Sequence, residues 1–183
     1  MGRSGPEVLT EQHRELQELF QRVSQPDEDR RAVLKVIVLT LAAHVAMEKE
    51  VLVPTLKERV GDSDTLVARL EADHDQIEHI LTLLERRKTN SPDVPDMVTE
   101  LLDVTDRHVR EADSNLLPAL RKALDGVALN DLGETMESDE RQHLTHPHAM
   151  LPDSGPLAGV SRRLAAVVDK IRDNSDDIGR SGT

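Results

Sequence analysis

Apolar residues recur every three or four positions in four stretches of the chain, the period of a helix with one buried face. The first stretch runs through Leu9, Leu16, Phe20 and Val23, and the second through Leu34, Ile37, Leu41 and Val51. The third runs through Leu66, Leu70, Ile77, Leu81 and Leu84, and the fourth through Val94, Met97, Leu101 and Val104. Turn-forming residues stand between them: Gln25-Pro26-Asp27, Gly61-Asp62-Ser63, Thr89-Asn90-Ser91-Pro92 and Asp125-Gly126. The spacing predicts helices over about 6–24, about 27–60, about 63–88 and about 94–124. Ser63 is placed to cap the third, and the run Asp27-Glu28-Asp29 suits the positive start of the second. Pro54 and Pro118 fall inside helical stretches, where each removes a ladder hydrogen bond and predicts a kink.

Short loops between long helices make sequential neighbours antiparallel. The expected fold is therefore all-α, an up-down-up-down four-helix bundle over residues 1–126, followed by a C-terminal tail over 127–183. In the tail, 129–142 reads as a short polar helix, and Thr145-His146-Pro147-His148 through Gly155-Pro156 reads as linker. Residues 157–172 form a weak amphipathic pattern. So little apolar area predicts a tail that is partly disordered or loosely docked, with His143, His146 and His148 in solvated loop, the alternative being metal binding at the surface.

Each inward stripe is interrupted by one histidine: His13, His44, His74 and His108. Carboxylates follow at about one helical turn. Glu48 and Glu78 lie four residues after His44 and His74, and Glu111 and Asp113 follow His108 by three and five. One histidine on an apolar face is more often a hydrogen-bonded core residue than a ligand. Four of them, one per helix, three with a carboxylate to accompany them, leave seven polar groups for an aliphatic lining to satisfy, and burial without partners is costly. Metal ions satisfy all of them at once. Imidazole and carboxylate donors in a bundle core suit a di-iron or di-manganese site. His79, beside Glu78, is expected to face away from the core.

Composition narrows the chemistry. The absence of cysteine excludes disulfides, thiolate zinc sites, iron–sulfur clusters and thiol nucleophiles. Phe20 is the one aromatic residue, so stacking on bases, haem or flavin has almost nothing to use. The net charge of −12 comes with no basic stripe, which argues against nucleic acid and anionic lipid as partners. With no signal-like apolar segment and no run of about 20 apolar residues, the expected location is the cytoplasm. No Ser/His/Asp order, phosphate loop or dinucleotide fingerprint is present.

The chain resembles the hemerythrin-like HHE family in four segments. They are Leu9-Thr-Glu-Gln-His13, His44-Val-Ala-Met-Glu48 with Pro54, Asp73-His74-Asp-Gln-Ile-Glu78, and His108-Val-Arg-Glu-Ala-Asp113 with Pro118. In the second and fourth, proline follows histidine by ten residues, the family's repeated spacing. The His-Pro-rich tail is similar to tails of actinobacterial members. The resemblance implies two iron ions in an oxo- or hydroxo-bridged centre, with manganese or zinc as lesser occupants. It implies His13, His44, His74 and His108 as nitrogen ligands and Glu48 and Asp113 as bridges, with Glu111 as the substitute for Asp113. Glu78 would stand where oxygen carriers have a further histidine. The family's glutamate four residues after the last histidine is here Ala112, and its aromatic neighbours are here Val45 and Val53.

The implied ligands are dioxygen, hydrogen peroxide or nitric oxide, in oxidative or nitrosative stress or in sensing. Glu78 in place of a nitrogen favours the ferric state and predicts oxidation, peroxide removal or iron sensing over reversible oxygen carriage. The other expectations are iron handling, as in a ferroxidase, and a metal-free interaction bundle. Paired Glu-x-x-His motifs of ferritin-like centres are missing.

Overall fold

The computed structural model describes residues 2–26, 29–87 and 91–145. Helix α1 spans Gly5–Val23 and α2 spans Arg30–Met47. The second helix passes through a π turn, Glu48–Leu52, directly into α3, Val53–Arg59. Helix α4 spans Asp64–Arg86, and α5 spans Val94–Glu111. A second π turn, Ala112–Leu116, carries α5 into α6, Leu117–Ala123, and α7 spans Gly126–Thr145.

Local chemistry sets these boundaries. The backbone N–H of Ser4 donates to Glu7 Oε2 at 2.8 Å, which closes the first turn of α1. Asp29 Oδ1 accepts from the amides of Arg31 and Ala32 at 3.1 and 3.2 Å, so the acidic residue caps α2 as its position suggests. Ser63 precedes α4, but its side chain makes no capping bond and is buried instead. Between α3 and α4 the chain turns through Asp62 at φ 55°, a left-handed conformation that a short polar side chain tolerates.

Neither interior proline breaks its helix. Each follows a π turn, in which the amide just before the proline reaches back five residues: Val53 N–H to Glu48 O, and Leu117 N–H to Ala112 O. The extra residue in the turn absorbs the hydrogen bond that proline cannot make. The helical path continues through both turns. Both π turns begin four residues after a histidine, His44 or His108.

Most buried apolar residues among those described fall into two clusters, one at each end of the bundle. Val8, Leu9, Met47, Leu52, Leu70 and Leu116 belong to one end. Leu16, Phe20, Ile37, Leu41, Ile77 and Leu101 belong to the other. The chain passes from the first cluster to the second along α1 and α4, and from the second to the first along α2 and α5. That alternation is the up-down-up-down order. Helix α1 packs on α2, α2 on α4, α4 on α5 and α5 on α1, which closes the ring.

A fifth helix lies outside the ring. Helix α7 packs on α1, on α2 and on the first π turn, with Leu132 and Met136 buried beneath it. Asp125 Oδ1 caps it by accepting from Ala128 N–H at 2.9 Å. The segment expected as a short polar helix over 129–142 is thus longer and docked. His143, expected in solvated loop, is 7% exposed. The linker, His146, His148 and the weak pattern at 157–172 lie outside the described residues. No helix among the described residues is long and apolar enough to cross a membrane.

Candidate metal centre

The four stripe histidines form the layer that separates the two apolar clusters. His13 sits between Leu9 and Leu16, His44 between Leu41 and Met47, His74 between Leu70 and Ile77, and His108 between Val104 and Ala112. Helical spacing brings each to the same height from a different side. His44 and His74 are 0% exposed, as is Glu48, and His108 and His13 are 1% and 2% exposed. Bulk solvent therefore reaches none of them.

Among the described residues Glu48 is the one carboxylate in this layer, and the rings gather around its two oxygens. His74 Nε2 lies 2.6 Å and His108 Nε2 3.4 Å from Oε2, while His44 Nε2 lies 3.5 Å from Oε1. The His13 ring stands edge-on to those of His44 and His108, at centroid separations of 5.1 and 5.4 Å. Several polar atoms here have no hydrogen-bond partner in the protein: both nitrogens of His13, Oε1 of Glu48, and Nδ1 of His74 and His108. Buried donors and acceptors left in that state cost on the order of 1–3 kcal/mol each.

Burial and mutual repulsion set the protonation. Burial pushes His13 down to about 4 and His44 down to about 3, against the attraction of Glu48. Burial also opposes ionisation of Glu48. The charges of His108 and His44 and hydrogen bonding outweigh it and hold the carboxyl well below its usual value. His108 is driven down by burial but raised on balance by Glu48. At neutral pH, His13 and His44 are thus neutral rings with free lone pairs, the form that ligates a metal.

Residues around the layer hold it in place. Nδ1–H of His44 donates to Oε1 of the buried Gln12 at 3.1 Å, leaving Nε2 as the lone pair aimed at the cluster. Gln12 faces Glu140 of α7, whose carboxyl is pushed up by burial and lowered in part by Gln12. Arg107 Nε donates to Asp73 Oδ1 at 2.8 Å, joining the residues that immediately precede His108 and His74. Gln12 and Glu140 look like ordinary polar positions in the sequence. Their role follows from packing of α7, which the four-stripe pattern does not announce.

Of the seven carried-over ligands, five meet: His13, His44, Glu48, His74 and His108. Two lie elsewhere. Glu78 is 38% exposed at its side chain and pairs with Lys49 at 2.8 Å. Asp113 lies in the second π turn with an exposed side chain. Glu111, its substitute, pairs with Arg69 at 3.0 Å. Asp113 rests on the resemblance rather than on helical register, and a spacing of five residues from His108 leaves it off the inward face. His79 is exposed, as its register implies.

Known proteins resemble this chain over most of its length. Residues 4–120 match the family described as the hemerythrin HHE cation binding domain. An uncharacterized hemerythrin-like protein of Schizosaccharomyces pombe is 24% identical over 170 residues, 91% of this chain and 84% of that protein. A DNA nickase of Nostoc is 30% identical over 123 residues, 64% of this chain but 34% of the nickase, so the likeness leaves most of that protein unmatched. The crystal structure of a hemerythrin HHE cation binding domain-containing protein from Mycobacterium kansasii superposes with a TM-score of 0.66 at 25% identity. It covers 76% of this chain and 86% of its own.

Proposed function

Because this chain belongs to the hemerythrin HHE cation-binding family, we propose that it is a non-haem iron protein that reacts with dioxygen, hydrogen peroxide or nitric oxide. The observation that supports this most is the set of unsatisfied lone pairs in the buried layer, on His13 and on Glu48 Oε1. A core that needed only hydrogen bonds would not leave these atoms bare. Nitrogen and oxygen donors without sulfur suit iron, with manganese and zinc as competitors.

The two oxygens of Glu48 divide the site. His44 approaches Oε1, with His13 beside it, and His74 and His108 approach Oε2. Two ions would each take two imidazoles and share Glu48. Iron so held supplies the ability to pass electrons one at a time to a small oxidant. The protein's own part is separate. The Leu, Ile and Met side chains above and below the layer exclude water, Glu48 supplies negative charge, and Gln12 fixes the tautomer of His44. Val45 and Val53, both buried, keep the space near the second helix's histidine and proline free of aromatic bulk.

A single-ion reading is favoured by one feature: donor atoms of His13, His44, Glu48 and His108 all lie within 4.8 Å of one another. Iron per chain, measured on untagged protein together with the near-ultraviolet spectrum, separates the readings. With no Trp or Tyr in the chain, ferric charge-transfer absorption stands clear. Two irons per chain support the paired centre, and one iron supports the single site. Folded protein that takes up no iron defeats both. Turnover of peroxide, or repeated oxygen uptake and release without oxidation, then distinguishes a reactive centre from a carrier.

A further inference from the structure

Helix α7 carries a second polar cluster, away from the histidine layer. His143 is buried at 7% exposure, yet neither ring nitrogen makes a hydrogen bond within the protein. Its Nε2 lies 3.0 Å from Oδ2 of Asp139, one turn earlier on α7, and 3.4 Å from Oε2 of Glu50 in the first π turn. Asp139 Oδ2 is likewise buried without a hydrogen-bond partner, although it is this close. The atoms therefore approach without pointing N–H at oxygen.

That is the geometry of donors converging on a point between them. Ligands held about 2.0–2.1 Å from a tetrahedral zinc ion stand roughly 3.3 Å from each other. The separations of 3.0 and 3.4 Å match this edge. Donor atoms of Glu50, Asp139 and His143 all lie within 4.8 Å of one another. Glu50 is 57% exposed and Asp139 19% exposed at the side chain, so an ion has a route in from solvent. The same signature, bare buried nitrogens beside a bare carboxylate oxygen, marks the histidine layer.

We propose that Glu50, Asp139 and His143 form a second metal site for a divalent transition ion of the zinc class. The site is separate from the histidine layer and does not depend on what fills it. Two of its ligands come from α7 and one from the turn that begins with Glu48, so an ion there ties the fifth helix to the segment that carries the central carboxylate.

The test is equilibrium dialysis of the full chain against Zn²⁺ after iron loading, with both metals counted per chain. The expected result is one zinc beyond the iron. His143→Gln, Asp139→Asn and Glu50→Ala should each weaken zinc binding at least about tenfold, the scale on which metal sites lose affinity when their supports are removed. Glu50 is exposed enough that its variant folds even if His143→Gln does not. A His146→Gln/His148→Gln double variant should keep the zinc, and so should Glu48→Gln, which disables the histidine layer. Absence of zinc uptake by the natural chain overturns the site. So does unchanged binding by Glu50→Ala, or loss of binding in the His146/His148 variant.

Discussion

His74 Nε2 lies 2.6 Å from Oε2 of Glu48, with both side chains fully buried and on different helices. The contact makes Glu48 central to the layer, since it faces three imidazoles and no other carboxylate among the described residues joins them. Glu48→Gln keeps the shape and removes the charge. Bound iron should fall from its natural ratio to less than a tenth of it, because a neutral amide neither bridges nor offsets cationic metal. The metal-free variant should remain folded, with unchanged helix content by circular dichroism. Retention of iron at the natural ratio would show that Glu48 is not a ligand.

Much of this layer was legible in the sequence. His13, His44, His74 and His108 stand at apolar register positions, and Glu48 lies a full turn from His44 on the same stripe. Position on a regular helix is enough to find such residues. Asp113 and Glu78 were not placed by the same logic. Asp113 follows His108 by five residues, which on a regular helix turns it off the stripe, and the π turn that contains it, signalled in the sequence by Pro118, leaves its side chain exposed. Glu78 keeps regular helical register but sits at the edge of the stripe, where Lys49 competes for it. The fifth helix is hard to read from sequence because Leu132, Met136 and His143 make a sparse stripe, while its close approach to the chain before α1 depends on Gly133.

The placement of those two carboxylates gives a separate prediction. Asp113→Asn and Glu78→Gln should each leave iron per chain within about twofold of the natural protein, against the large loss from Glu48→Gln. Both are exposed or half-exposed, and surface changes of this kind usually stay within about 0.5 kcal/mol in stability. Elemental analysis of the three variants side by side makes the comparison. An equal loss in Asp113→Asn would mean that the second π turn rewinds when metal binds.

Gln12 offers a way to weaken the site without touching a ligand. Its Oε1 accepts the Nδ1–H of His44 at 3.1 Å, which pins the ring and its tautomer. Gln12→Ala should lower metal affinity by about 10–100-fold, the usual cost of losing such a support. Competition with a chelator measures this. Gln12→Glu, which keeps an acceptor at the same reach, should recover most of the affinity. If both variants behave alike, His44 takes its orientation from packing alone.

Acid should destabilise the metal-free protein. Burial lowers His13 from 6.5 to about 4 and His44 from 6.5 to about 3. Between those values and 6.5 the unfolded chain binds protons that the folded chain refuses, so stability falls as pH drops through the window. Glu48, held well below 4.5, adds a loss of the same sign at still lower pH. His108 is raised and works the other way, its contribution present below 6.5 and fading as pH rises past its folded value. Two strongly lowered imidazoles outweigh one raised. The urea midpoint should therefore be lower at about pH 5 than at about pH 7. His44→Leu should flatten that difference, and an unchanged slope in this variant would contradict the assignment.

Docking of α7 depends on one residue without a side chain. A Cβ at Gly133 would lie 2.0 Å from the carbonyl oxygen of Arg3 and 2.8 Å from the carbonyl carbon of Ser4. Backbone stands on that side, so nothing flexible can move away. Gly133→Ala must push α7 off the start of α1, uncovering Leu132 and Met136 and separating Glu140 from Gln12. Overpacking of this kind costs about 1–3 kcal/mol and occasionally more, or about 2–4 °C in Tm per kcal/mol for a chain of this size. Gly126 is the matched control. A Cβ there meets nothing within 4 Å, so Gly126→Ala should be neutral or slightly stabilising. Thermal unfolding distinguishes the two, and amide hydrogen exchange over 126–145 shows where the damage falls. Loss of protection confined to α7, with α1 to α6 unaffected, would establish the fifth helix as a separable cover. Loss throughout would make it part of the cooperative core.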